Sequence, residues 1–232
     1  MFLSEYELSA LILSLKVSVT SVVISIPLAV IIAWLLARKN FPGKTLLDGI
    51  VHLPLVLPPV VIGYLLLISF GRQGWIGKPL YELTGLSFSF SWQGAALAAA
   101  IVSFPLMVRA IRLAIEAVDI KLEQAARTLG ASPWRVFMTI TLPLTMPGIL
   151  TGTVLGFARS LGEFGATITF VSNIPEVTRT IPLAMYSFIE TPGAEAEAAR
   201  LCIIAVVIAL SSLLLSEWLT RATRHKLGAP HA

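Results

Sequence analysis

Charge is scarce in this sequence. Of its 232 residues only 13% are Asp, Glu, Lys or Arg, about half the share in an average soluble domain. A full 56% are hydrophobic, and the mean hydropathy is +0.85. A soluble fold of this length has no interior large enough to hide that much apolar surface, whereas a bilayer makes hiding it unnecessary. Cysteine is almost missing as well. Cys202 stands alone inside an apolar run, so there is no intrachain disulfide framework, and the residue is expected to be a small buried hydrophobe. No H-E-x-x-H, G-x-S-x-G or C-x-x-C pattern occurs. Gly43-Lys44-Thr45 is no nucleotide loop, because Arg38 stands where a phosphate-binding loop needs its first glycine. His52 has no partner ligands spaced for a metal and reads as a packed or interfacial residue. The chain is therefore not expected to be an enzyme, to hydrolyse ATP itself or to hold a metal.

What is present is a series of apolar segments long enough to span a membrane, which takes about 20 residues per helix. The first ends in the charge-free stretch Val17–Ala37. The second is Ile50–Phe70, the third about Leu86–Val108, the fourth follows Pro143 to about Val171, and the fifth is about Ala198–Leu219. The first is expected to be a retained anchor, since no Lys or Arg precedes it and it outruns a signal-peptide core. A further apolar piece, Ile181–Ile189, is bounded by Pro182 and Pro192-Gly193. It is too short to span and fits an interfacial or re-entrant helix. If it dips deeply, six spans is a fair alternative count.

The cations set the orientation. Eleven of the 17 Lys and Arg residues fall after spans one, three and five, among them Arg38, Lys39, Arg109, Arg112, Arg127, Arg135 and the tail residues Arg221, Arg224 and Lys226. The opposite side holds Arg72, Lys78, Arg179 and Arg200. The N-terminus is then outside and the C-terminus cytoplasmic. The same bias accounts for the net charge of +4 without invoking nucleic acid. The expected fold is an all-α membrane bundle, residues 1–232 forming one transmembrane domain.

One polar cytoplasmic loop, about residues 116–143, is strongly patterned. Asp119 is a helix N-cap and Glu123 an acidic residue near the start of that helix. Leu122, Ala125, Ala126 and Leu129 recur at helical spacing. Gly130 is placed as a C-cap, and Ser132-Pro133 restarts a helix, with Val136, Phe137 and Ile140 on its apolar face. The loop reads as two short helices with a tight corner, offering small residues that let another protein approach closely.

Here the sequence resembles a known family. Gln124-Ala125-Ala126, then Gly130, then Ile140-Thr141-Leu142-Pro143 is similar to the E-A-A, three residues, G, nine residues, I-x-L-P signature of bacterial ABC importer permeases. The first position departs from it, with Gln124 in place of Glu and Glu123 just before. The resemblance implies a type I permease fold and a loop that docks into a groove of a separate ATP-hydrolysing subunit, so that ATP and Mg belong to that partner and this chain carries no cofactor. A narrower resemblance, to molybdate permeases, rests on His52–Tyr64 (HLPLVLPPVVIGY), Phe70–Gly77, Ala158–Thr167 (ARSLGEFGAT), Asn173–Pro175 and Thr178–Pro182. Sulfate permeases carry similar segments, but Phe164, Ala166 and Thr167 fit the molybdate branch better. Glu176 stands where that branch usually has glycine. This resemblance implies a homodimer, two ATPase subunits, an external oxyanion-binding protein and a place in the bacterial inner membrane.

Three further features carry alternative readings, and Lys16 carries one. Pro54, Pro58 and Pro59 interrupt one span, as a hinge or pore wall or as a packing kink. Gly148, Gly152 and Gly156 form a small-residue ridge, packed within the subunit or around a dimer axis. Arg159 and Glu163 are four apart on one helix face, and a charge at mid-bilayer costs at least about 2.5–3.5 kcal/mol. They are expected to face the interior and to pair, as a structural bond or as part of a gate with Ser160 and Thr167. Lys16 is expected to snorkel to the outer interface. A secondary transporter is a competing class, but it would favour internal repeats and several intramembrane acids; no clear repeat is seen, and only Glu163 lies well inside a span.

Overall fold

Ser4 opens the first helix. Its hydroxyl accepts from the Glu7 amide, and the Glu7 carboxylate accepts from the Ser4 amide at 2.7 Å, a reciprocal cap that suits an acid-rich first turn. In the computed structural model, which describes residues 3–226 (the side chains of 216, 219 and 221–226 excepted), this helix, α1, runs Glu5–Arg38. It starts well before the charge-free core of the expected span. The side chains of Arg221, Arg224 and Lys226, counted in the charge bias, lie outside the described residues.

The second span is broken. Helices α2 (Lys44–Val56) and α3 (Pro59–Phe70) meet at an angle of 114°, far more than a packing kink. Leu57 and Pro58 each precede a proline, and both are extended, with ψ of 140° and 134°, because a following pyrrolidine ring disfavours the helical conformation. Pro59 then sits at the first position of α3, where its missing N–H is no loss. Pro54, by contrast, is carried inside α2 without breaking it.

A short helix α4 (Gly77–Thr84) leads to α5 (Trp92–Glu116), capped by Ser91. The third span is thus shifted towards its C-terminus relative to Leu86–Val108. Helices α6 (Ile120–Thr128) and α7 (Pro133–Val136) follow with the expected caps: Asp119 accepts from Lys121, Gly130 takes φ +85°, and Ser132 accepts from Arg135. Yet α7 is no separate helix. It continues through a π-helical turn, Phe137–Thr141, into α8 (Leu142–Leu161), so the fourth span is a continuous apolar helix from Pro133 to Leu161. Pro143 lacks the N–H that an α-helix needs, and the wider turn just ahead of it absorbs the mismatch, whereas Pro147 is carried inside α8. At its far end this span stops at Leu161, and a separate helix α9 (Gly165–Val171) completes the segment expected to run to about Val171, the break falling at the charged Arg159–Glu163 stretch. Helix α10 (Ile181–Ile189) coincides with the expected short piece, and α11 (Glu195–Lys226) extends beyond Ala198–Leu219 at both ends.

Among the described residues four helices are long and apolar enough to cross a membrane, and the bent α2/α3 pair, counted as one span, brings the number to five. The chain is an all-α, multi-pass bundle. Helix α5 is its centre, packed between α1 and α8. The glycine ridge settles its own alternative: a Cβ on Gly148 would strike Ala114, one on Gly152 would sit 3.2 Å from Ile111, and one on Gly156 would sit 2.6 Å from the Met107 sulfur. The ridge packs on α5 of the same chain. Helix α1 buries a matching face of small residues, Ser14, Ser18, Ser21, Ser25, Ala29 and Ala33, spaced three and four apart. Cys202 departs from expectation. It is exposed, on the face of α11 that carries Ile203, Val206 and Val207 outward.

At one end of the bundle Arg200 joins Glu7 and Glu197, both at 2.8 Å. Near that end the Lys16 ammonium lies 3.7 Å over the Trp92 ring. The opposite end carries α6, together with an Arg112–Asp48–His52 cluster in which the His52 ring nitrogen lies 2.9 Å from the Asp48 carbonyl.

Candidate translocation and coupling sites

Two interrupted helices meet in the half of the bundle away from α6. Helix α3 packs closely on α9. A Cβ on Gly63 would approach the Ala166 carbonyl to 2.6 Å, and one on Gly165 would approach Pro59 to 2.9 Å. Glycine is therefore required on both sides of this contact. It sets the break at Leu57–Pro58 beside the break at Gly162–Phe164. Interrupted helices survive in a bilayer only where protein or a water-filled cavity satisfies the freed backbone.

At the second break Glu163 does that work. One carboxylate oxygen accepts from the Ala166 amide at 2.8 Å, capping α9, while the other lies 2.7 Å from the Arg159 guanidinium. The latter contact is an ion pair without the alignment of a good hydrogen bond. Glu163 is 2% exposed and Arg159 is half-buried. The two residues expected to pair do so, and the charge in the bundle is neutralised. Ser160 and Thr167 are buried beside them. The Ser160 hydroxyl is engaged by Ser21 at 2.8 Å, so in this conformation it contacts α1 and not an open pathway. Past the break runs an apolar groove of roughly 500 Å3, between Ala158, Gly162 and Phe164 on one side and Pro182, Tyr186 and Val206 on the other.

The second site is the α6 corner. Gln124 and Ala125 are exposed, Ala126 is half-buried, and Gly130 stands exposed in its left-handed conformation. Ile140, Leu142 and Pro143 are half-buried in the helix that follows. The two leucines of the α6 stripe stand largely open: Leu122 is 50% exposed and Leu129 is 88% exposed. Glu123 behaves differently. It points inward, accepting from Arg38 at 3.1 Å and from Thr141 at 2.9 Å.

The profile of a protein family described as the binding-protein-dependent transport system inner membrane component matches residues 25–226. The chain belongs to this family. It is 69% identical over 222 residues to the molybdenum transport system permease protein ModB of Haemophilus influenzae, covering 96% of this chain and 97% of that one. To the protein of the same name from Escherichia coli K12 it is 67% identical over 228 residues, or 98% and 100% of the two chains. Among solved structures, a bacterial alginate ABC transporter in complex with a periplasmic protein carrying an alginate pentasaccharide superposes with a TM-score of 0.74 at 19% identity, covering 94% of this chain and 80% of its own. At that identity the likeness speaks for the fold, which is that of ABC importer permeases.

Several residues at these sites escaped the sequence reading. Ser21, Arg38 and Thr141 each hold a buried partner from a distant part of the chain. The serines of α1 do carry a signal, since Ser14, Ser18, Ser21 and Ser25 recur at helical spacing inside an apolar run, as small residues do where membrane helices pack closely. Arg38 and Thr141 carry none, being an ordinary helix-end cation and an ordinary loop threonine. Glu176 has φ +63°, a conformation that glycine adopts without strain.

Proposed function

We propose that this chain is the transmembrane permease subunit of an ATP-driven importer that carries molybdate across the bacterial inner membrane. The observation that supports this most strongly is a conjunction. An exposed helical corner with the importer spacing sits at one end of the bundle, two interrupted helices meet in its other half, and the chain is 67–69% identical, over 96–98% of its length, to permeases named for molybdenum transport. In this reading two copies of the chain form the pathway. Two ATPase subunits bind ATP and Mg and dock on α6 through Gln124, Ala125, Ala126 and Gly130. An external oxyanion-binding protein delivers the substrate. The α6 end is cytoplasmic and the N-terminus outside, as the charge bias favours.

The pathway itself holds the anion weakly. A tetrahedral dianion is costly to dehydrate, and conduction requires binding loose enough for release. Selection then rests on the binding protein, and the neutralised Arg159–Glu163 pair acts in gating. The breaks at Leu57–Pro58 and Gly162–Phe164 are where the two halves of each interrupted helix move relative to one another, giving alternating access when the ATPases close.

Cells lacking their own molybdate permease, supplied with this chain and its cognate ATPase and binding protein, should regain high-affinity molybdate uptake. Sulfate in large excess should leave that uptake standing. Sulfate is the second reading, since its relatives carry similar segments and it is also a tetrahedral dianion. Abolition of uptake by equimolar sulfate would favour it.

A further inference from the structure

We infer that Glu123 is a positioning residue that ties the α6 corner to three membrane helices, and that the ATPase does not touch it. This rests on the reading of α6 as the ATPase dock. In sequence Glu123 stands beside the docking residues and looks like a displaced member of their signature. In space it is turned away from them. Its neighbours Leu122 and Gln124 are exposed, whereas its own side chain is 6% exposed.

The partners of Glu123 come from all around the corner. Arg38, the last residue of α1, donates from Nε to the carboxylate at 3.1 Å and from Nη2 to the Val118 carbonyl at 2.9 Å. Val118 lies in the connection between α5 and α6. Thr141, in the π-turn at the head of α8, donates to the same carboxylate oxygen at 2.9 Å. One carboxylate and one guanidinium therefore join the end of α1, the end of α5, the body of α6 and the start of α8. A buried pair of this kind adds little net stability over an apolar packing, but losing one member leaves the other uncompensated. Its value lies in fixing one arrangement. A push on the exposed face of α6 is passed to α1, α5 and α8 together, and the motion is then taken up farther along the bundle at the two helix breaks. The π-turn fits this role, since such turns place a side chain where a regular helix would not.

The test uses the full complex of this chain with its ATPase subunits and binding protein, in proteoliposomes. Three quantities are read: ATPase retained by the purified permease, ATP turnover, and molybdate imported per ATP. For Glu123→Gln the retained ATPase should stay within about twofold of the parent while molybdate per ATP falls about fivefold or more, the lower end of typical coupling energies. Thr141→Val, which removes one hydrogen bond and keeps the ion pair, should fall less. The double variant Arg38→Gln with Glu123→Gln should fall by less than the two single variants combined, since the two changes share one interaction. Gln124→Ala serves as the contrast for a docking contact, in which the retained ATPase falls first. Loss of retention in step with uptake for Glu123→Gln would make it a docking contact and overturn the inference, as would unchanged import per ATP. If the parent complex hydrolysed ATP without importing anything, the functional reading of α6 would fall, and this inference with it.

Discussion

Replacing Glu163 with glutamine isolates one property of the α8/α9 break. Glutamine has the same shape and keeps an oxygen for the Ala166 amide, so the cap on α9 survives, whereas the charge that faces Arg159 at 2.7 Å is lost. Removing one member of a fully buried pair costs about 3–5 kcal/mol. Arg159 is 30% exposed on its side chain and regains part of its solvation, which brings the expected cost to about 1–3 kcal/mol. If that penalty falls unequally on the two conformations of the pathway, their equilibrium shifts about 5- to 150-fold. The expected result is an altered basal ATPase rate and weakened stimulation by the loaded binding protein, with the order of molybdate over sulfate unchanged. The assay is uptake of each anion in competition, with the binding protein held constant, alongside ATP turnover. A Glu163→Gln variant that prefers the other anion while keeping normal ATPase coupling would make this segment a selectivity site and refute the gating argument.

Gly130→Leu places a side chain where φ is +85°, a conformation that costs an L-residue about 1–2 kcal/mol. It also fills the corner that α6 presents, so the ATPase recovered with the purified permease should drop. Gly63→Ala brings a Cβ to 2.6 Å from the Ala166 backbone, with no flexible side chain to give way, and should lower the stability of the detergent-solubilised protein by about 1–3 kcal/mol, read as its melting temperature. In a Cys202→Ala background, needed because the native thiol is exposed, cysteines at Lys78 or Asn173 should react with an impermeant reagent added outside cells, and one at Arg127 should not. The reverse labelling would invert the charge-based topology.

Local chemistry was readable from the sequence wherever one residue decides the backbone. The caps Asp119, Gly130 and Ser132-Pro133 and the bounds of Ile181–Ile189 follow from side chains acting on their own turn. Helix ends inside the membrane were harder to read. Hydropathy does not register whether a proline is absorbed, as Pro54 is in α2 and Pro143 is behind the π-turn, or whether it breaks the chain, as Pro58-Pro59 do. Two prolines in succession force two extended residues, and that distinction was available from the sequence. The Arg159–Glu163 pair was legible because its members are one helical turn apart. The Arg38–Glu123 pair was not, with 85 residues between its members, and the sequence placed Glu123 among the docking residues because nothing local shows which way the side chain turns. The exposed stripe of α6 was legible as a surface for another protein because its small residues recur at helical spacing, and the outward face of α11 was legible only as part of an apolar span.

ATP-driven flux measured directly bears hardest on the central claim. Proteoliposomes containing this chain and its ATPase are loaded with ATP and Mg, with the saturated binding protein and labelled molybdate outside. Molybdate should accumulate inside against its gradient, require hydrolysable ATP, and persist when ionophores collapse proton and sodium gradients. Uptake that ignores ATP and vanishes with the ion gradient would make the chain a secondary transporter and contradict the account.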